Sequence, residues 1–253
     1  MESRTNGAAS PDLSGLSRGA KGKQVRLVQE WLCLQCIAVV VDGDFGPATE
    51  QAVRKFQSNV SLPATGAVDS ATLERLTQPL AKALRSIELN GRGLGEMVVA
   101  YAEQHLAQRP REVGGENRGP WVRLYTGGKE GAGWPWCAAF VSFVLKQACK
   151  TLPDLSGLPI PASLSCDLLA AGAKQRKRFL ASPPAAKRSQ VTPGSIFLVR
   201  RTRSDWIHTG IVIWAEAEFL LTIEGNTNDA GSREGYEVCE RTRGYRNKDF
   251  VLI

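Results

Sequence analysis

The sequence predicts an α+β protein in two parts: a small three-helix domain, then a larger domain whose N-terminal helices pack on an antiparallel sheet. Three observations predict it. The first third carries apolar residues at helical spacing between two turns that echo each other. A long apolar helix opens at Cys137. Three short runs of strand-forming residues then follow between Ser195 and Glu224.

Composition agrees. The chain has 253 residues, 43% hydrophobic and 23% charged, outside the range of disordered or fibrous proteins. No stretch approaches the ~20 apolar residues of a membrane span, so no transmembrane segment is expected. Met1 to Gly7 lacks the apolar core of a secretory signal, so synthesis and first residence in the cytoplasm are expected. The six cysteines are then expected as reduced thiols. Two histidines, His105 and His208, exclude a His-rich metal site and leave little choice of imidazole. The net charge of +7 lies almost wholly beyond residue 90, because residues 1–90 hold 10 Lys/Arg against 9 Asp/Glu. A basic surface favours anionic partners.

Residues 1–13 are small and polar and read as a flexible tail. Val25, Val28 and Leu32 fall at i, i+3 and i+7, one face of a first helix. Asp42-Gly43-Asp44-Phe45-Gly46 is a tight turn. Pro47 suits the start of a second helix, striped by Ala48, Ala52, Val53 and Phe56. A third helix runs from Ser70 to near Leu76. Gly43 to Thr49 recurs as Gly66 to Thr72, shifted by 23 positions, which suggests two related helix-entry turns. Residues 79–94 read as a linker with a short helix through Leu80, Leu84 and Ile87, broken by Asn90-Gly91-Arg92-Gly93. Nothing in this part carries catalysis, and a structural cap and a binding module both fit.

Leu16, Gly19, Gly22, Val25, Gln29 and Leu32, then Asp42 to Gly46, Thr49, Ala52-Val53, Phe56-Gln57, Leu62, Gly66, Thr72 and Leu76, together resemble a peptidoglycan-binding domain of the three-helix type over residues 14–78. The resemblance implies a module that tethers a hydrolase to murein. Cys36 departs from it, near where such domains often carry glycine.

The chemistry lies in residues 95–253. Pro135 sits where a helix can begin, so Cys137 falls in the first turn of an apolar helix. A thiol there meets the positive end of the helix dipole, which lowers its pKa and favours the thiolate. Ser195-Ile196-Phe197-Leu198-Val199 is a strand. His208 to Trp214 and Phe219 to Glu224 form an antiparallel hairpin. A turn centred between Glu216 and Ala217 sets His208 opposite Gly225, between Glu224 and Asn226. Those side chains are the polar partners an imidazole needs. Each feature alone has a bland alternative: a core cysteine, a surface histidine, an ordinary strand end. Together they reproduce a nucleophile, a base and an orienting group.

Trp136-Cys137-Ala138-Ala139-Phe140-Val141, Pro193-Gly194-Ser195-Ile196, His208-Thr209-Gly210-Ile211-Val212 and Glu224-Gly225-Asn226-Thr227-Asn228 resemble the CHAP domain, a family of papain-like cysteine amidases and peptidases. The resemblance implies cleavage of an amide bond in peptidoglycan: the muramoyl–alanine bond, a stem peptide or a cross-bridge. It makes Cys137 the nucleophile, His208 the base, Glu224 the group that orients the imidazole, and Asn226 a supporting polar residue. Relatives often carry aspartate where this chain has Ser195.

Trp121, Trp134 and Trp136 either line a glycopeptide groove or pack in the core. Glu112, Glu116 and Asn117 lie on a Gly-rich loop before the nucleophile, as candidate substrate contacts. Some relatives hold calcium near such a loop, but these oxygens do not fall at a calcium spacing, so no metal or cofactor is expected. Cys33-x-x-Cys36 has no second pair and no nearby histidine, so neither zinc nor redox chemistry is read from it. Lys174, Arg176, Lys177 and Arg178 make a basic run, either a solvated insertion or a contact for anionic envelope. Without stacking aromatics it does not suit specific nucleic-acid binding. A monomer is the default.

The leading expectation is an endolysin-like peptidoglycan hydrolase acting on the wall after release or delivery. A delivered antibacterial effector, or a non-catalytic wall-binding or virion protein with a degenerate domain, is the alternative.

Overall fold

The computed structural model describes residues 15–228 and 235–253, and the tail expected over residues 1–13 lies outside them. The chain divides into two compact units, Met1–Gln78 and Pro79–Ile253.

The first unit contains α1 (Lys23–Leu34), α2 (Pro47–Asn59) and the start of α3 (Ser70–Leu84). Val25, Val28, Leu32, Phe45, Val53, Phe56, Val68 and Leu76 form its core. The two echoing turns have one physical cause. The Gln29 amide donates to Asp42 Oδ1, Asp44 O and Thr49 Oγ1, and its Oε1 accepts from Gly43 N–H. Gln57 repeats the pattern: it donates to Thr65 Oγ1, Ala67 O and Thr72 Oγ1 and accepts from Gly66 N–H. Gly43 and Gly66 both take positive φ, 82° and 78°, which is why glycine stands at both. A buried glutamine thus satisfies the backbone of each turn, at no cost in unpaired polar groups.

The third helix differs from expectation. It does not stop near Leu76 before a separate short helix, but runs on through Pro79 to Leu84. Pro79 removes one backbone bond, and the good helix formers Leu80 to Leu84 continue the spiral beyond it.

The second unit adds α4 (Leu94–Leu106), α5 (Pro120–Thr126), α6 (Cys137–Thr151) and α7 (Cys166–Gln175). These precede β1 (Phe179–Leu180), a 3-10 turn over Ala185–Gln190, β2 (Ile196–Thr202), β3 (Asp205–Ala215), β4 (Phe219–Thr227), β5 (Glu237–Gly244) and β6 (Lys248–Val251). The strands form one antiparallel sheet in the order β1-β6-β2-β3-β4-β5. The α+β class is as expected, with three further strands. Of these, β5 reads Glu-Val-Cys-Glu-Arg-Thr-Arg-Gly, an edge strand whose charges mask its alternation. The other two are only two and four residues long.

Helix α6 is buried on nearly every side, from Cys137 to Ala148. It packs on β3 and β4 and against α4 and α5. Gly225 permits that packing: a Cβ there would stand 2.8 Å from Phe140 Cβ and 2.9 Å from the Trp136 ring. In the hairpin, Ile211 pairs with Ile223 and Val212 with Thr222, one residue off the expected register. A bulge between Val212 and Trp214 accounts for the kind of slip that hairpins tolerate. Among the described residues, no helix is long and apolar enough to cross a membrane.

Candidate active site

Three elements converge on one thiol. Cys137 is the first residue of α6, next to the N-cap residue Trp136. His208 lies on β3 and Glu224 on β4. Cys137, His208 and Glu224 are 6%, 7% and 0% exposed, so the nucleophile and the imidazole touch solvent slightly and the carboxylate not at all.

His208 Nε2 shares a 2.8 Å hydrogen bond with Glu224 Oε2. Its other ring nitrogen, Nδ1, is left to hydrogen-bond Cys137. Burial alone would depress the His208 pKa, but the hydrogen bonds and charges of Cys137 and Glu224 outweigh it and raise the pKa to about 9.

Glu224 is held from four directions. Thr222 Oγ1 donates to Oε1 at 2.6 Å, Arg243 Nε to Oε1 at 2.8 Å, and Arg243 Nη2 to Oε2 at 2.6 Å, alongside His208. Burial would push this carboxyl up; the Arg243 fork and His208 prevail and bring it down to about 2. It is therefore a carboxylate, and it keeps the imidazole charged and aimed.

The thiol has a second neighbour. Cys166 Sγ lies 3.9 Å from Cys137 Sγ. Cys166 is itself the first residue of α7, after Ser165, whose side chain accepts from Leu168 N–H. The Cys137 thiol is held well below its ordinary value, first by the Cys166 hydrogen bond and then, against burial, by His208 and the Ala138 N–H. Cys166 moves the opposite way, first because it donates to Cys137 and then because it is buried. These directions favour the thiolate at Cys137, with His208 protonated beside it and Cys166 as the neutral thiol.

The expected residues divide into those the fold brings together and those it does not. Cys137, His208 and Glu224 meet. Asn226 does not reach the imidazole: its Oδ1 accepts from Trp136 N–H at 2.6 Å and its Nδ2 donates to Gly235 O at 2.7 Å. It fixes the backbone immediately before the nucleophile, with φ at 54°.

Trp121 and Trp136 do not line a groove. They are 1% and 0% exposed and both stack with Tyr125, at centroid distances of 6.2 and 5.6 Å. Their large apolar rings serve as core beneath α6. Trp134 alone of the three is open, at 37%, with Lys129 Nζ 4.1 Å above its ring.

Glu112 is half-buried and accepts from Trp136 Nε1 at 2.8 Å and from Asn117 N–H at 2.8 Å. It braces Trp136 rather than offering a free carboxylate. Asn117 is buried in the same loop, and Glu116 is exposed. The second histidine, His105, is buried between Tyr125 Oη and Gln147 Oε1, and burial lowers its pKa to about 4. It is a core residue.

Ser195 Oγ accepts from Thr192 N–H within a turn. The basic run ends α7 and turns into β1: Lys174 lies 4.7 Å over Phe179 and 4.5 Å over Trp206, and Arg178 Nη1 donates to Leu252 O. Arg176 and Lys177 are exposed.

Sequence reasoning missed Arg243, Thr222 and Cys166. Arg243 sits on the unrecognised strand β5. Cys166 carried a usable signal, a cysteine directly after a serine N-cap, the same kind of helix-start position that marked Cys137.

Comparison with known proteins concerns the first unit. Residues 21–76 match the family model described as putative peptidoglycan binding domain. No curated protein matches the chain. The three-helix unit with its two glutamine-stapled turns thus carries a peptidoglycan-binding domain match, which supports peptidoglycan as a partner.

Proposed function

We propose that this protein is a cysteine-dependent peptidoglycan hydrolase of the CHAP type, an endolysin-like enzyme that cuts an amide bond in murein. The observation that carries the reading is the continuous chain Cys137–His208–Glu224–Arg243, in which each group holds the next in its charged state. The peptidoglycan-binding domain supplies the substrate class.

The chemistry follows from those charges. The Cys137 thiolate attacks the amide carbonyl carbon. The oxyanion forms beside the N–H groups of the first turn of α6, whose dipole favours negative charge there. His208 gives its Nδ1 proton to the leaving amine, and the C–N bond breaks. The neutral imidazole then takes a proton from water, which attacks the thioester and releases a carboxylic acid and the thiolate. Glu224 stays ionised throughout, steadying each imidazolium. Trp134, three residues before the nucleophile, and the loop bearing Glu116 are exposed and suited to the glycan or stem peptide. Arg176 and Lys177 offer a contact for anionic envelope.

The test is release of soluble fragments from purified peptidoglycan by wild type and by Cys137→Ala. Cys137→Ala should be folded and inactive. Equal release by both proteins removes Cys137 from the reaction. No release by either, on several wall types, favours a wall-binding protein with a silent site.

A further inference from the structure

Two thiols touch where the proposed reaction needs only one. Cys137 and Cys166 are 29 positions apart, open two different helices, and place their sulfurs 3.9 Å apart. Both are free thiols, 6% and 8% exposed. That opening suits a small oxidant and resists a bulky one. A disulfide needs an S–S distance of about 2 Å, so from 3.9 Å the two sulfurs must approach by roughly 2 Å for the bond to form. The nucleophile is at the same time the thiol of the pair held as thiolate, the form that oxidants attack.

We propose that Cys137 and Cys166 form a peroxide-reactive pair, in which Cys166 resolves oxidation of the nucleophile by closing a reversible Cys137–Cys166 disulfide. In the first step the Cys137 sulfur attacks one oxygen of hydrogen peroxide. The O–O bond breaks, hydroxide leaves and takes up a proton as water, and Cys137 becomes a sulfenic acid. In the second step the Cys166 sulfur attacks the Cys137 sulfur. The S–O bond breaks, and hydroxide leaves with the Cys166 proton as a second water. Two thiols lose one electron each and one peroxide gains two. A dithiol reductant reverses the bond. Without Cys166, the sulfenic acid is open to further oxidation to sulfinic acid, which thiols do not reverse. The pairing itself stands on geometry; its consequence, reversible loss of wall hydrolysis, rests on the function proposed above.

The test uses the full chain at neutral pH with a small excess of hydrogen peroxide, then alkylation of remaining thiols and tryptic digestion without reductant. Cleavage after Lys129, Lys146, Lys150 and Lys174 puts the two cysteines on separate peptides, 130–146 and 151–174. The expected product is those two peptides joined with loss of two hydrogens. Dithiothreitol should separate them and restore hydrolysis to the oxidised protein. In Cys166→Ser, Cys137 should reach sulfinic acid about tenfold faster than in wild type. Equal rates of sulfinic acid formation in the two proteins, with no cross-link, would overturn the proposal. So would a Cys137 left untouched while exposed Cys36 oxidises. If the cross-link forms but reduced protein never releases wall fragments, the pair stands and the hydrolase reading fails.

Discussion

The bare backbone of Gly210 makes room for the Glu224 side chain on its way to His208. A Cβ at Gly210 would stand 2.7 Å from Glu224 Cγ, 2.7 Å from the Phe197 ring and 3.0 Å from Ile223 O. Its φ is not in the left-handed region, so the requirement is space and not backbone freedom. Gly210→Ala should therefore cost about 1–3 kcal/mol by overpacking. Displacement of the carboxylate should lower kcat/KM about tenfold or more. Thermal unfolding and wall-hydrolysis kinetics check both. An alanine variant unchanged in stability and rate would mean the site yields more easily than these distances imply.

Arg243 supplies two of the four hydrogen bonds on the Glu224 carboxylate. Arg243→Met removes both and leaves a buried charge underpaired. Glu224 has a folded pKa of about 2, below its ordinary value of 4.5, so its contribution to stability is present above pH 4.5 and lost as pH falls towards 2. Raising the folded pKa narrows that window. The variant should be less stable at pH 7 by about 1–3 kcal/mol and should begin acid unfolding at higher pH. Denaturant titrations at pH 7 and pH 4 measure both effects.

His208 sets the alkaline limit of the reaction. Its folded pKa, about 9, exceeds its ordinary 6.5. The imidazolium therefore contributes stability fully below pH 6.5, and that contribution is lost as pH rises through 9. The same proton is the one delivered to the leaving amine. The profile of kcat/KM against pH should fall on an alkaline limb near pH 9. Glu224→Gln removes the carboxylate that raises the pKa and should move that limb to lower pH. A limb that stays in place in the variant would separate it from His208.

In the first unit, Gln29→Ala removes three donated bonds and the partner of Gly43 N–H. The orphaned turn should cost about 1–3 kcal/mol, and Gln57→Ala should cost a similar amount. Peptidoglycan pull-down should weaken with unfolding of this unit. If either variant matches wild type in thermal unfolding, the glutamines do not hold the turns.

Much of the site was legible because its signals are local. A cysteine after Trp-Pro-Trp at a helix start, a histidine on an alternating strand, and a glutamate across one hairpin lie within short-range patterns. The same holds for the Gly-Asp-Phe-Gly turn and its echo. What escaped depends on tertiary placement. Arg243 reaches Glu224 from a strand whose charges hide its period. Asn226 stands two residues beyond Glu224, but the bulge after Glu224 turns its side chain to Trp136 and not to the imidazole. Trp121 and Trp136 have the composition of a sugar-binding surface, and only their burial around Tyr125 reveals them as core. The third helix ran past its expected end because Pro79 disrupts too little of the ladder to stop it.

The most direct measurement is mass spectrometry of the soluble products that wild type and Cys137→Ala release from purified peptidoglycan. The account predicts amide-bond products from wild type alone. Free stem peptides with intact glycan would identify a muramoyl–alanine amidase, and opened cross-links or shortened stems an endopeptidase. Cut glycan strands, or the same products from the alanine variant, would contradict it.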